Sequence, residues 1–460
     1  MKFSVKNFCT MLLAAAALFV APPASAANFL NGLEKGGLPR VTPPPVRVIA
    51  LDNGMTCFLL EDHTLPMVQM KVVARAGSIY DPADKVGLAE LAGMLMRSGG
   101  AGGLSPDEFD AAVDAIGAKL ASGIGLEMGD ASLAVLTGDL EKGAELLFDM
   151  IFKPRLDEGR LKVSRMKIEE RLRREEDEPD EFTAKSFRQL TYGKENPWAR
   201  RPDNKSLGRV SVENIRTLHG NFFKTGNLML SAAGDFKTDE LVALIRRLTK
   251  DAPRGTAEIP AVPEVKLEFE PRVDQIVRPL TQSFIRMGHL GVRRHNPDRF
   301  ALLLMSDILG ANNFKSRLME DIRTKRGLAY SIWSDVSPAT DYGLFTIGVD
   351  TKAGQASAVI DLIRGHLKRL SGGNDVAGSE LSFAKQSVLS RLVFEFDSSF
   401  KVVDRRAIFR FYGYPDNYWQ VFHDRIARVR VADVEDVARR YLHPDGLNIV
   451  VVGPKVEGLK

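Results

Sequence analysis

The chain has 460 residues, with 63 Lys and Arg against 59 Asp and Glu and a formal net charge of +4. The charges are spread through mixed-sign segments and no basic stripe is interleaved with aromatics, which argues against a nucleic-acid partner. Only two cysteines are present, Cys9 and Cys57. Cys9 lies in a segment expected to be removed, so no internal disulfide is available to the mature protein.

In chain order, Lys2 and Lys6 precede an apolar run, Met11–Ala21, and then Pro22-Pro23-Ala24-Ser25-Ala26. This is the layout of a secretory signal peptide over residues 1–26, with an Ala-x-Ala cleavage site after Ala26. The apolar run is about half of the roughly 20 residues that span a bilayer, and no lipobox cysteine follows it. Export to a Gram-negative periplasm is expected, with no membrane span in the mature protein. Residues 27–45 are rich in Pro and Gly and read as an extended N-terminal arm.

Strand character follows over Val46–Leu60 and Met67–Ala76, where apolar and β-branched residues alternate or run together. Cys57 falls in the first stretch and is expected to be a buried small residue. Val86–Met96 reads as a helix. Ser105-Pro106-Asp107-Glu108 is a capping box with proline at the first helical position, so a helix starts there. Further helices are expected over Asp139–Ile151 and Asp157–Glu175. Residues 251–271 contain Pro253, Pro260, Pro263 and Pro271, which suits an extended linker. Beyond it, strands are expected near Gln282–Leu290, Ala329–Val336 and Gly343–Val349, and helices over Pro297–Leu309 and near Ser316–Thr324.

The chain repeats itself. Val210–Gly234 and Val429–Gly453 align without a gap at an offset of 219 residues (429 minus 210). Each copy holds an amphipathic helix, an aromatic (Phe222, Tyr441), a turn, and an apolar strand ending in glycine (Gly234, Gly453). The mature protein therefore reads as two homologous domains, 46–250 and 272–460. Strands and helices come in clusters, so the fold class is α+β. Each domain is expected to be an antiparallel sheet with helices packed on one face.

The seven histidines are His63, His219, His289, His295, His366, His423 and His443. No two are three or four residues apart, so no helix presents a His pair on one face. The glycines at 99, 100, 102 and 103 are not followed by Lys-Ser/Thr and read as a flexible turn, not as a phosphate loop.

Residues 87–95 read Gly-Leu-Ala-Glu-Leu-Ala-Gly-Met-Leu. This stretch resembles the zinc helix of the pitrilysin/insulinase superfamily, inverted zincins whose motif is Gly-x-Ala-His-x-x-Glu-His-Met. The frame is kept as Gly87, Ala89 and Leu95. The three functional slots hold Glu90, Gly93 and Met94. In such enzymes two His one turn apart bind zinc and the Glu between them is the general base. Gly93 has no side chain to take a proton, and Met94 is a poor zinc ligand. The family's third ligand is a Glu on another helix. Its matching position is Glu170, within a run of alternating charges that on its own reads as a solvated helix face. Arg75–Tyr80, Met96–Gly100 and Ala115–Leu120 resemble the family's flanking segments.

The closest match to the family lies in the second half, at Leu309–Leu318 and Ile322–Ser331. There the family carries a paired Arg and Tyr, seven residues apart, that reach the active site of the partner half. The matching residues are Arg323 and Tyr330. A phenol O–H donates to the developing oxyanion of peptide hydrolysis, and a guanidinium holds the substrate carbonyl. Read from the residues alone, Arg323 is a helix-end surface charge and Tyr330 a strand core residue.

The resemblance implies a periplasmic subunit without its own metal, inactive alone, that supplies Arg323 and Tyr330 in trans. Its implied partner is a zinc-bearing homologous subunit acting on a peptide substrate. Two alternatives stay open. One is a scaffold or peptide-binding protein of the same fold. The other is an autonomous metallopeptidase with a site rebuilt from Glu90 and Glu170.

Overall fold

The computed structural model describes residues 42–311 and 315–459. The expected signal peptide, most of the expected arm, Cys9, and Asn312, Asn313 and Phe314 of the second-half motif lie outside the described residues.

The first half contains β1 (Arg47–Ala50), β2 (Thr56–Glu61), β3 (Met67–Ala74), α1 (Leu88–Ser98), α2 (Pro106–Ala115), β4 (Lys119–Ile124) and β5 (Gly129–Leu136). It continues with α3 (Leu140–Phe152), α4 (Glu158–Arg174), α5 (Pro179–Tyr192), α6 (Asn204–Gly208), α7 (Val212–Phe222), β6 (Leu228–Gly234) and α8 (Thr238–Leu248). The second half opens with β7 (Arg272–Val277), β8 (Gln282–Leu290) and α9 (Arg299–Leu309), then a π-helical turn (Met319–Lys325), β9 (Ala329–Ser337) and β10 (Leu344–Lys352). It closes with α10 (Ala356–Gly372), α11 (Gly378–Arg391), α12 (Ser399–Phe411), α13 (Tyr418–Arg428), α14 (Val431–Tyr441) and β11 (Asn448–Gly453). Among the described residues, no helix is long and apolar enough to cross a membrane.

Local chemistry explains most of these boundaries. The strand-like stretch Val46–Leu60 is broken into a hairpin, because Gly54 takes φ +95° and lets Leu51 N–H reach the Met55 carbonyl at 2.8 Å. The capping box forms as its sequence requires: Ser105 N–H donates to Glu108 Oε2 at 2.8 Å, and Glu108 N–H to Ser105 Oγ at 3.4 Å. The proline-rich stretch 251–271 forms neither helix nor strand. Yet it is not loose: Val265 is buried with Phe187 and Trp198, and the Phe269 ring stacks on His443 at 3.6 Å.

The strand orders are β1-β2-β6-β3-β5-β4 and β7-β11-β8-β10-β9. Without β1, the two sheets have the same order. Each is antiparallel except for one parallel pair, β2 with β6 and β7 with β11. That parallel pair joins β2 in the first half and β7 in the second to the last strand of its own half, which is the strand of the sequence repeat. The fold is a duplicated α+β arrangement.

Alternation along β6 separates two faces. Leu228, Leu230 and Ala232 join α1, α3 and α7 in the main core, whereas Met229 and Ala233 pack with Phe58, Val403 and Ala407. Val403 and Ala407 belong to α12, from the other half. Reciprocally, α5 of the first half packs on β8 and β11 of the second, where Phe187 is buried with Val450 and Val452. The halves therefore exchange one helix each. The last residues of α5 and α12, Tyr192 and Phe411, stand 219 residues apart (411 minus 192), the offset of the repeat. So each sheet has helices of its own half on one face and the exchanged helix on the other, a layer that a pattern within one half does not reveal. Truncating Phe58 to Ala would remove about 3–5 kcal/mol from this interface.

Charges mark the same symmetry. Lys71 lies opposite Ser231, and Arg286 opposite Val450. Lys71 Nζ reaches Asp404 of α12 at 3.4 Å, and Arg286 pairs with Asp180 of α5. Cys57 is buried, and burial pushes its thiol up to about 12.

Candidate functional site

The helix that carries the zinc-motif positions is held at its start by Asp81. Its carboxylate accepts the N–H groups of Gly87 and Ala89, both at 2.9 Å, while Gly87 itself adopts φ +99°. Burial pushes the Asp81 carboxyl up to about 7 against the pull of these N–H groups. Asp81 escapes a reading by motif because it stands seven residues ahead of the first residue of the helix. The only signal is an acid placed to cap an otherwise uncapped helix start.

Glu90 projects from the first turn of α1 toward α4. There Arg171 Nη1 and Nη2 donate to its two carboxylate oxygens at 2.6 and 2.9 Å. This bidentate pair uses the geometry that makes guanidinium–carboxylate contacts strong. Glu170, the neighbour of Arg171, is held by Arg174 Nε at 2.6 Å and Arg173 Nη2 at 3.1 Å. The structure thus brings α1 and α4 together as the motif requires, but arginines occupy both carboxylates.

Gly93 is buried under β4. A Cβ built there would lie 2.5 Å from Ile124 N and 2.8 Å from Gly123 C, both backbone atoms. Ser122 Oγ donates to the Gly93 carbonyl at 2.7 Å and fixes this close approach. The position that holds the base in the family therefore has neither a side chain nor room for one. Met94 is partly buried against the core. These four residues do not fit a zinc ion: one carboxylate is clamped, one slot is blocked, one donor is a thioether, and the last carboxylate is shared by two arginines. Among the described residues no group of three or more His, Cys, Asp or Glu is placed to hold a metal.

Arg323 and Tyr330 lie in the other half. Arg323 is half-buried near the end of the π-helical turn, and its Nη1 contacts Met319 Sδ at 3.6 Å. The turn closes through Gly327, at φ +63°, whose N–H donates to the Arg323 carbonyl at 3.1 Å. It is pinned from outside as well. Asp321 accepts Arg326 Nε at 2.9 Å and meets His366 Nε2 at 2.9 Å, while His366 Nδ1 faces Arg369 Nη2 at 2.9 Å. The His366 contact, followed by the Arg326 charge, holds the Asp321 carboxyl below its usual range. Arg317, just ahead of the turn, forks onto Glu380 of α11 at 2.7 and 2.8 Å.

Tyr330 sits on the edge strand β9 at a bulge: Asp350 pairs with Ser331 and Thr351 with Ala329, leaving Tyr330 unpaired. Bulges re-aim side chains, and Tyr330 is 72% exposed, not the strand core residue that its local pattern suggests. The seven-residue spacing thus becomes a tethered turn followed by a bulged strand start. The positions of the zinc motif are filled and neutralised, whereas the Tyr330 phenol is presented to solvent.

A duplicated α+β protein with exchanged helices, whose α1 and α4 meet through an Arg171–Glu90 pair, is what fold and site define. The model for insulinase (peptidase family M16) matches residues 57–197, and that for the peptidase M16 inactive domain matches residues 209–388. The chain belongs to this M16 family, the pitrilysin/insulinase superfamily. It is 26% identical over 275 residues to an uncharacterized zinc protease of Streptomyces coelicolor, covering 57% of this chain and 59% of that protein. It is 22% identical over 419 residues to an uncharacterized zinc protease of Rickettsia bellii, covering 88% and 97%. The crystal structure of a peptidase M16 inactive domain from Pseudomonas fluorescens superposes with a TM-score of 0.81 at 24% identity, covering 90% of this chain and 98% of that one.

Proposed function

We propose that this chain is a periplasmic, non-catalytic subunit of a heteromeric metallopeptidase. It pairs with a zinc-bearing homologous subunit and supplies Arg323 and Tyr330 to that subunit's active site. The observation that carries this reading is the contrast between the two modules. Where the family binds metal, Arg171 holds Glu90 and β4 closes over Gly93. Where the family holds substrate, Tyr330 stands exposed on a bulge beside a firmly anchored turn. In that role the Tyr330 O–H donates to the oxyanion that develops on the scissile carbonyl. The Arg323 guanidinium holds a backbone carbonyl of the peptide and fixes its position. Export of the mature chain rests on the signal-peptide pattern ending at Ala26.

The test is reconstitution. The purified chain is mixed with an M16 homologue that carries an intact His-x-x-Glu-His, and peptide cleavage is followed. Activity is expected only in the mixture, and Tyr330→Phe is expected to lower it by about 10²–10³-fold, the usual effect of losing one oxyanion donor. Full activity of the homologue alone would refute the proposal. A stable complex whose rate ignores both Tyr330→Phe and Arg323→Ala would instead favour a scaffold role.

A further inference from the structure

A cavity of about 370 Å³ opens beside the exchanged helix α5, above strands β9 and β10 of the second sheet. Its floor is set by one row across the sheet. Arg286 of β8 and Trp333 of β9 both stand opposite Gly348 of β10. Because Gly348 has no Cβ, the Trp333 indole lies across it; a Cβ would fall 2.3 Å from that ring. The ring thus reaches the Arg286 guanidinium, 5.2 Å from its centroid. The facing wall is Phe187, Arg188 and Tyr192 of α5, with Trp198 stacked on Tyr192 at 6.3 Å.

Two features of this cavity call for a ligand of particular chemistry. Its walls carry four aromatic rings, which favour a flat or long apolar group. They also carry two carboxylates that are already engaged, Glu127 by Arg294 at 2.7 Å and Asp335 by the Ser337 hydroxyl, and two cations with different partners. Arg286 is paired with Asp180. Arg188 donates to the Trp198 carbonyl and lies 5.6 Å from the Tyr192 ring; among the described residues, no carboxylate pairs with it. A half-buried guanidinium met only by a neutral carbonyl and a ring retains donors suited to a carboxylate fork. Two further donors in the walls, Trp198 Nε1 and Arg286 Nε, are buried without a hydrogen-bond partner.

We propose that this cavity binds the C-terminal residue of a peptide, with its apolar side chain between Trp198 and Trp333 and its carboxylate on Arg188. The volume lies at the small end of ligand sites and suits about one residue rather than a long segment. The proposal does not depend on the role of Arg323 and Tyr330, because binding is read in this chain alone.

Three tryptophans are present in the sequence, and two of them line the cavity, so their emission reports occupancy directly. The full chain is titrated with Ala-Ala-Ala-Phe, with the same peptide as its C-terminal amide, and with N-acetyl-phenylalanine. A saturable change in emission is expected for the free acid, with at least tenfold weaker binding of the amide. Arg188→Gln should erase that preference while leaving the melting temperature of the chain close to its parent value. Arg188→Lys, which keeps the charge but loses the fork, should retain part of it and serves if the glutamine variant fails to fold. Equal binding of acid and amide, or no saturable response by fluorescence and calorimetry, overturns the proposal. Binding of N-acetyl-phenylalanine as tightly as the peptide would overturn the peptide assignment, making the site one for small apolar carboxylates.

Discussion

Arg171 closes on Glu90 with two hydrogen bonds of 2.6 and 2.9 Å, joining α4 to the first turn of α1. In a catalytic relative these helices would meet around a metal. Here they meet around a guanidinium, and the Glu90 contact raises the Arg171 pKa above its ordinary value. The cation does structurally what a metal would do there, because it joins two helices through a carboxylate. It offers no open position at which water could be activated.

The first prediction concerns restoring the motif. Glu90→His, Gly93→Glu and Met94→His together reproduce its letters, but Gly93 lies under the β4 backbone. Gly93→Ala alone should destabilise the protein by about 1–3 kcal/mol through overpacking. The triple variant should therefore be less stable than its parent and fail to gain stoichiometric zinc. Urea unfolding and metal analysis read both effects. A stable, zinc-loaded triple variant would show that β4 yields easily.

Tyr330 offers the opposite case. Its side chain is largely in solvent on an edge strand, so Tyr330→Phe should change stability by less than about 0.5 kcal/mol. A large loss of melting temperature would mean that the phenol has a structural partner in the folded chain, and would weaken the trans assignment.

The turn beneath Arg323 should be sensitive to Asp321. His366, whose side chain is 7% exposed, depends on that carboxylate at 2.9 Å. Asp321→Asn should cost about 1–3 kcal/mol by weakening a largely buried polar contact. It should also lower turnover in the reconstituted mixture while Tyr330 is intact. Equal unfolding midpoints for variant and parent would disconnect Asp321 from the turn's stability.

Stability should depend on pH through His289. Its Nδ1 donates to the Leu290 carbonyl at 2.7 Å, and its Nε2 accepts the His443 N–H at 3.3 Å. Both nitrogens are thus committed to the neutral ring, and burial lowers the group from 6.5 to about 4. Between these values the unfolded chain binds a proton that the folded chain refuses. Stability therefore falls as pH drops from about 6.5 toward 4, with a contribution on the order of 3 kcal/mol. Thermal melts across this range should show a shallower decline for His289→Gln than for the parent. An identical decline would assign the effect to other groups.

Much of this protein is legible in its residues. Period-two and helical patterns place most elements within a few positions, the capping box at Ser105 forms as written, and the 219-residue repeat anticipates two sheets with matching strand order. That positions 90, 93 and 94 hold Glu, Gly and Met, and positions 323 and 330 Arg and Tyr, is a matter of residue identity. Periodicity along one segment reports only which face of that segment is apolar. It does not report which distant segment covers that face, so the exchange of α5 and α12 was invisible. So was the splitting of Val46–Leu60, which turns on a single left-handed glycine.

The sequence by itself determined that positions 90, 93 and 94 carry no His pair and no base between them, because a missing side chain needs no fold to be missing. Only the tertiary structure decided what took their place. Arg171 sits on Glu90 and β4 on Gly93 because α4 and the sheet edge pack against α1. The bulge that turns Tyr330 outward likewise arises from a register between β9 and β10 that hydrogen bonding across strands imposes, and no local pattern encodes it.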